Sequence, residues 1–259
     1  MSAGLRLGHW QDVMADVERC DVLLTDPPYS ARTHDGERGM RPQPNDKKYM
    51  TDKAGWTMRP GAAIDYDCIT EADCDAFAGH WAPRVRSWAL TFGDHHTWRM
   101  WEAAWSETGW YTFAPVVWVK RNAPPRFAGD GPQSSCEYIL VARPKRRVDD
   151  SRSRPGHYLV DVPIRPQDGG STGVIGTKDV EGLVRVVLDY TRPGDLVVDP
   201  FAGTATVAAA CLRQGRRYIG SEMDPDTHAK GLDRIEATRQ DPVVRDRWGQ
   251  PRRQKDLFG

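Results

Sequence analysis

Two short runs of residues in this chain could do chemistry. The first is Thr25-Asp26-Pro27-Pro28-Tyr29. Its two prolines fix the backbone and supply no amide donors, which leaves the Pro27 carbonyl free to accept a hydrogen bond in a preset direction. Asp26 adds a carboxylate acceptor, and Tyr29 offers a flat ring face to a planar heterocycle. Two acceptors beside an aromatic plate suit an exocyclic amino group on a stacked base, and a base in a duplex reaches such a site only by leaving the stack. The plainer alternative is a proline-terminated strand followed by a surface tyrosine.

The second run is Asp199-Pro200-Phe201-Ala202-Gly203-Thr204-Ala205-Thr206. It follows an apolar strand-like segment and opens a helix, and its small residues let backbone amides and the helix N-terminus approach a ligand closely. Glu222, with Met223 beside it, comes at the end of the next strand, where nucleotide-binding α/β sheets place an acidic residue that accepts hydrogen bonds from ribose hydroxyls. Together they read as an adenosine site. The loop has a single glycine and is not the Gly-x-Gly-x-x-Gly turn that admits a pyrophosphate, which argues against a dehydrogenase. A tight turn without a ligand stays open as the alternative.

The elements around these runs must bring them together. Asp21 to Thr25 is a short apolar run stopped by Asp-Pro-Pro, the pattern of a buried strand ending in a rigid turn. Helices are predicted near Glu71–Ala82, Thr97–Ser106, Asp179–Tyr190, Thr204–Arg213 and Pro225–Arg239. Strands are predicted at Ser87–Phe92, Trp110–Lys120, Glu137–Ala142, Asp195–Asp199 and Arg216–Ser221. Trp98, Trp101 and Trp105 fall at helical spacing and are assigned to the core rather than to a ligand cage. The alternation implies an α/β fold with a doubly wound, mostly parallel sheet covered on both faces. Residues 1–240 read as a single domain, with halves at about 5–142 and 176–239 and a polar tail at 241–259. Residues 31–60 and 143–175 are polar, rich in Gly, Pro and Arg, and read as long inserted loops.

Bulk properties narrow the function classes. The chain has 259 residues, with 36 Lys and Arg against 36 Asp and Glu. Zero formal charge argues against a uniformly basic nucleic-acid binder, but the charges are uneven. Basic residues gather at Lys120, Arg121 and Arg126, at Arg143 to Arg147, at Arg152, Arg154 and Arg165, and near Arg252 to Lys255, whereas Asp65 to Asp75 is acidic. A basic face and merely solvated loops both fit that pattern. The five cysteines form no Cys-x-x-Cys pair, so neither a disulfide framework nor a zinc ribbon is expected. Cys68, Cys74, His80 and the pair His95-His96 match no common zinc spacing, and no metal is expected. No apolar run approaches membrane-spanning length and no secretory signal profile opens the chain, so a cytoplasmic protein without a membrane partner is expected.

The two runs, in this order and at this spacing, resemble the β-class DNA amino-methyltransferases. The segments Leu5 to His9, Val117 to Lys120, Cys136 to Val141 and Arg192 to Asp195 are similar to that family too, so the resemblance runs from Leu5 to Thr238 outside the two long loops. It implies a Rossmann-like methyltransferase fold in which the strand ending at Asp26 lies beside the strand ending at Asp199. It further implies S-adenosylmethionine as cofactor, held by Asp199, Pro200, Phe201, Ala202, Gly203, Thr204, Glu222 and Met223, with Lys178 and His9 at the edges of that site. Catalysis would fall to Asp26, Pro27, Pro28 and Tyr29. In that family an aspartate before Pro-Pro-Tyr goes mainly with adenine N6 and a serine with cytosine N4, so adenine in DNA is the implied target.

DNA is the expected partner, with Arg32, Arg121 and Arg126 as leading contacts and Ala31–Pro60, Arg121–Gly131 and Arg143–Gly170 as contacting segments. Three positions depart from the pattern. His9 stands where an aspartate is usual, Ala205 where a second glycine is frequent, and Gly176-Thr177-Lys178-Asp179 keeps only the lysine of His-Pro-Thr-Gln-Lys-Pro. Cytosine N4, RNA or a protein amide as substrate, an inactive DNA-binding relative, and a homodimer all remain open.

Overall fold

Short β-branched runs bounded by turn residues build the strands of this protein, and apolar side chains at helical spacing build the helices that cover them. The computed structural model describes residues 3–29, 68–123, 132–146, 152–161 and 178–240, with the short segments 244–245 and 251–252. In chain order the first half holds β1 (Ala3–Leu7), α1 (Trp10–Val13), β2 (Cys20–Thr25), α2 (Glu71–Trp81), β3 (Val85–Gly93), α3 (Thr97–Glu107), β4 (Tyr111–Thr112), β5 (Val116–Lys120) and β6 (Cys136–Arg143). The second half holds β7 (His157–Val160), α4 (Val180–Tyr190), β8 (Leu196–Asp199), α5 (Thr206–Arg213), β9 (Arg217–Glu222) and α6 (Pro225–Gln240), followed by the antiparallel pair β10 (Val244–Arg245) and β11 (Pro251–Arg252).

Among the described residues the main sheet runs β1-β9-β8-β2-β3-β6-β5-β7, with β4 also on β6. Only β6 runs against its neighbours, so the mostly parallel sheet expected from the alternating pattern is present. The chain leaves β2 toward β3 on one side, whereas β8 leads to β9 on the other. The strand order therefore reverses between β2 and β8, and doubly wound sheets open a ligand crevice at the carboxyl ends of the strands at such a point.

Alternation along the strands sends side chains to two cores. Val22, Leu24, Leu90, Phe92, Ile139, Val141 and Val197 pack with α4, α5 and α6 on one face. Leu23, Ala89, Leu140 and Val198 pack with α1, α2 and α3 on the other. Trp101 and Trp105 are fully buried in that second layer and Trp98 is partly buried against it, as their helical spacing predicts. All five cysteines are free thiols, three of them buried.

The structure corrects three local expectations. The strand predicted over Trp110–Lys120 is broken into β4 and β5 around Pro115, whose ring nitrogen cannot donate to a ladder. The segment after Arg143, predicted to be irregular, contains the edge strand β7, which alternates exposed His157 and Leu159 with buried Tyr158 and Val160. Arg146, Arg152 and Arg154 of the basic segment are also tied into the fold. Arg146 donates to the Arg86 carbonyl at the start of β3, Arg152 to the carbonyls of Leu188 and Thr191, and the Arg154 guanidinium lies 4.4 Å from the Trp88 ring centroid. Arg146 and Arg152 contact the start of β3 and the end of α4.

Candidate active site

The turn after β2 carries the first motif. Thr25, the last residue of β2, is fully buried, and its hydroxyl donates to Asp199 Oδ1 at 2.7 Å. The same hydroxyl accepts from the Phe201 amide at 3.3 Å. One threonine thus joins the strand that presents Asp26 to the loop that opens after β8, the juxtaposition expected from the resemblance.

Asp26 then enters a polar cluster. Tyr29 Oη donates to Asp26 Oδ1 at 3.0 Å, and Lys178 Nζ donates to Asp26 Oδ2 and reaches Tyr29 Oη at 3.0 Å. Lys178 also pairs with Glu137 Oε2 at 3.0 Å, and Glu137 Oε1 pairs with Lys120 Nζ at 2.8 Å. Carboxylates and ammonium groups alternate along Asp26, Lys178, Glu137 and Lys120. The Phe92 ring, whose centroid is 5.0 Å from Lys178 Nζ, closes one side.

Lys178 reaches the cluster because of how α4 begins. Asp179 caps that helix by accepting from the Gly182 amide at 2.7 Å. Gly182 packs against the Trp118 ring and Val160, where a Cβ would lie 2.4 Å and 2.6 Å from them. A glycine there is what lets the helix start close enough to β5 and β7 to put Lys178 on Asp26.

Electrostatics divides the two carboxylates. Burial pushes the Asp26 carboxyl above its ordinary value, and the Lys178 charge pulls it back only in part. Burial would likewise raise Glu137, but Lys178 and Lys120 together hold it down at about 2. Lys178 loses solvation too, yet its two carboxylate partners raise its pKa and keep it protonated. Glu137 is therefore firmly ionised, and Asp26 is the softer acceptor.

The second motif forms the wall beside this cluster. Asp199 is 1 % exposed, and besides Thr25 its carboxylate accepts from the Phe201 amide at 3.3 Å and from Tyr218 Oη at 3.4 Å. Burial pushes its pKa up to about 7 against the pull of these donors. Asp199 is thus directed inward, bracing the loop. Phe201 stacks on Phe77 of α2 at 5.6 Å, and the Ala202 amide donates to the Ser221 carbonyl while Ser221 Oγ donates to the Pro200 carbonyl. Glu222 accepts from the Gly203 and Asp224 amides, each at 2.9 Å, which holds its carboxylate at the rim. Leu7 and Met223, at the ends of β1 and β9, are exposed beside it.

The departures from the family pattern have local explanations. Ala205 has φ +57°, the left-handed conformation glycine adopts more readily. Its fully buried methyl packs where Gly231 of α6 leaves room, since a Cβ on Gly231 would lie 3.3 Å from Ala205 Cβ. His9 is exposed and caps α1, accepting from the Gln11 amide at 3.4 Å.

Asp26, Tyr29 and Lys178 are brought into direct contact, Pro27 and Pro28 follow Asp26 in the chain, and Pro200 to Thr204 with Glu222 and Met223 follow the carboxyl ends of the neighbouring strands β8 and β9. Lys178, assigned by resemblance to the cofactor site, touches the Asp26 carboxylate. Arg121 follows the last residue of β5 and pairs with Asp161. Arg32 and Arg126 lie outside the described residues. Glu137, Lys120 and Thr25 were not singled out as site residues from sequence. The available signal was a charged residue at the end of an otherwise apolar strand, Lys after Val116–Val119 and Glu before Tyr138–Ala142.

A family model described as DNA methylase (N6_N4_Mtase) matches residues 20–230. The type II methyltransferase M.Cfr9I of Citrobacter freundii is 30 % identical over 141 residues, which cover 50 % of this chain and 45 % of that protein. This chain spans about half the length of the curated relatives it matches. Among solved structures, the M1.HpyAVI-SAM complex superposes with a TM-score of 0.66 at 18 % identity, over 90 % of this chain and 99 % of that one. PvuII DNA methyltransferase (cytosine-N4-specific) superposes with a TM-score of 0.62 at 14 % identity, over 91 % and 87 %. At such identities these two establish likeness of fold, whereas the family match spans both motifs and the strands between them. The chain belongs to the N6/N4 DNA methylase family.

Proposed function

We propose that this protein methylates the exocyclic N6 amino group of adenine in DNA, with S-adenosylmethionine as methyl donor. The observation that carries the reading is the Thr25–Asp199 hydrogen bond of 2.7 Å. It joins the strand that leads to a carboxylate acceptor and an aromatic ring to the loop we read as the cofactor site. The crevice residues suit that cofactor. Leu7 and Met223 offer exposed apolar surface for an adenine ring, Glu222 offers a carboxylate for ribose hydroxyls, and the Pro200–Thr204 loop brings its backbone close. The SAM complex of M1.HpyAVI, which shares the fold, supports the same choice. When bound, the cofactor supplies an electrophilic methyl group.

The chain's own residues would act on the amine. An aromatic amine delocalises its lone pair into the ring. Hydrogen bonds from it to Asp26 and to the Pro27 carbonyl localise that pair and steady the positive charge that develops during transfer. A carboxylate has about four acceptor positions. Tyr29 and Lys178 occupy two of those on Asp26, which leaves room for the amine. Tyr29 stacks on the extruded base, a contact worth ~1–3 kcal/mol. Positioning of this kind can remove up to ~7–11 kcal/mol from a bimolecular barrier. Arg121, just after β5, contacts the DNA backbone.

The aspartate at the head of the Pro-Pro-Tyr motif favours adenine over cytosine. Asp26→Ala tests the mechanism: methyl transfer should be lost while cofactor affinity, measured by calorimetry, stays within about threefold. Full activity in that variant would end the proposal. Single-molecule sequencing of DNA from a methylation-free host expressing the protein reads the modified base. N4-methylcytosine in that DNA would overturn the adenine assignment and leave methyl transfer standing.

A further inference from the structure

The mechanism above uses Asp26, Pro27 and Tyr29 and leaves two charged groups without a task. Glu137 and Lys120 retain only 15 % and 22 % side-chain exposure, and Lys178 only 10 %. Burying charges is costly unless each finds a partner. A salt bridge between β5 and β6 alone would need Lys120 and Glu137, not Lys178. Lys178 is 152 residues from Asp26 in the chain and comes from the far side of the sheet order, on the lead-in to α4. The cluster therefore links the catalytic turn to three other elements.

A lysine paired with Asp26 alone would spend its whole charge there and compete with any amine for the carboxylate lone pairs. A second carboxylate divides that charge. We propose that Glu137 is a positioning residue for methyl transfer: it anchors the Lys178 ammonium through a second carboxylate, so that Lys178 orders Asp26 and Tyr29 without saturating Asp26. The inference rests on the reading of Asp26 as the acceptor of the base amine. Lys120, at 2.8 Å, balances the charge of Glu137. The charged and titratable groups facing Asp26 are Tyr29 from its own turn, Lys178 from the start of α4, Glu137 from β6 and Asp199 from β8. From β3 the cluster receives the uncharged Phe92.

Two substitutions pull in opposite directions. Glu137→Gln removes a negative charge and leaves Lys178 to Asp26, so the Asp26 carboxyl should titrate about one pH unit lower. The acid limb of kcat should move down with it, and kcat itself should fall about tenfold, with KM for DNA changed far less. Lys120→Met removes a positive charge and leaves Glu137 to draw Lys178 more strongly, so the same titration should move up. The measurements are a carbon-13 NMR titration of the Asp26 carboxyl, assigned with Asp26→Asn, and pH profiles of kcat and KM on the full chain.

Shifts of opposite sign in the two variants, with partial recovery in Glu137→Asp, support the proposal. An unmoved Asp26 titration, shifts of the same sign, or an unchanged kcat in Glu137→Gln would overturn it. Should Glu137→Gln fail to fold, the upward shift in Lys120→Met carries the test, and its absence is refuting. Failure of the Asp26 mechanism reads separately, as methyl transfer surviving in Asp26→Ala, because the NMR titration needs no activity.

Discussion

Asp199→Asn isolates the energetic consequence of burying a carboxylate where the two halves of the site meet. In the folded protein Asp199 titrates at about 7 rather than at its ordinary 3.8, chiefly because burial disfavours the charged form. The folded state therefore holds a proton that the unfolded chain releases earlier. This contribution to stability is fully present below about pH 4 and is lost as the pH rises through 7. A difference of about three units, at ~1.36 kcal/mol each, gives a loss of about 4 kcal/mol between pH 4 and pH 8. Asparagine keeps an oxygen for the Thr25 hydroxyl and the Phe201 amide and turns its NH₂ toward Tyr218 Oη, 3.4 Å away in the wild type. It does not titrate. Urea denaturation of both proteins at pH 5 and pH 8 cancels the groups they share, and the stability difference should move toward the variant by about 2 to 3 kcal/mol at the higher pH. A difference that stays constant, or that moves toward the wild type, would refute the assignment of a raised pKa to Asp199.

Two further outcomes follow from the geometry. Glu222→Ala should raise the cofactor dissociation constant roughly ten- to a hundredfold by calorimetry, the loss of one or two hydrogen bonds to a charged group; unchanged affinity would remove the ribose assignment. Gly182→Ala places a methyl 2.4 Å from the Trp118 ring and 2.6 Å from Val160. It should cost ~1–3 kcal/mol in urea denaturation and reduce kcat by displacing Lys178, whereas a variant of unchanged stability would show that α4 can shift freely.

Much of the fold is legible in the residue pattern. Apolar runs and helical spacing locate β2, β3, α2, α3, α4, α5, β8, β9 and α6 to within a residue or two. Pro115 and β7 mark where that reading stops. A proline inside an apolar stretch divides it, and a four-residue edge strand among arginines has too little alternation to stand out. The same limit applies to the site. Asp26-Pro27-Pro28-Tyr29 and the Asp199–Thr204 loop are local objects, because neighbouring residues set the backbone that makes them rigid or permissive.

The sequence by itself determined the two motifs, the alternating elements that carry them, and through them the family. Only the tertiary structure decided what surrounds Asp26. Lys178, Glu137 and Lys120 come from three distant segments, and their type alone does not separate them from surface charges. Their meaning depends on desolvation and on distances of about 3 Å, which sheet order and helix packing impose. Asp199, read from sequence as part of the cofactor loop, is also a buried brace that accepts from Thr25, Phe201 and Tyr218, contacts no local pattern announces.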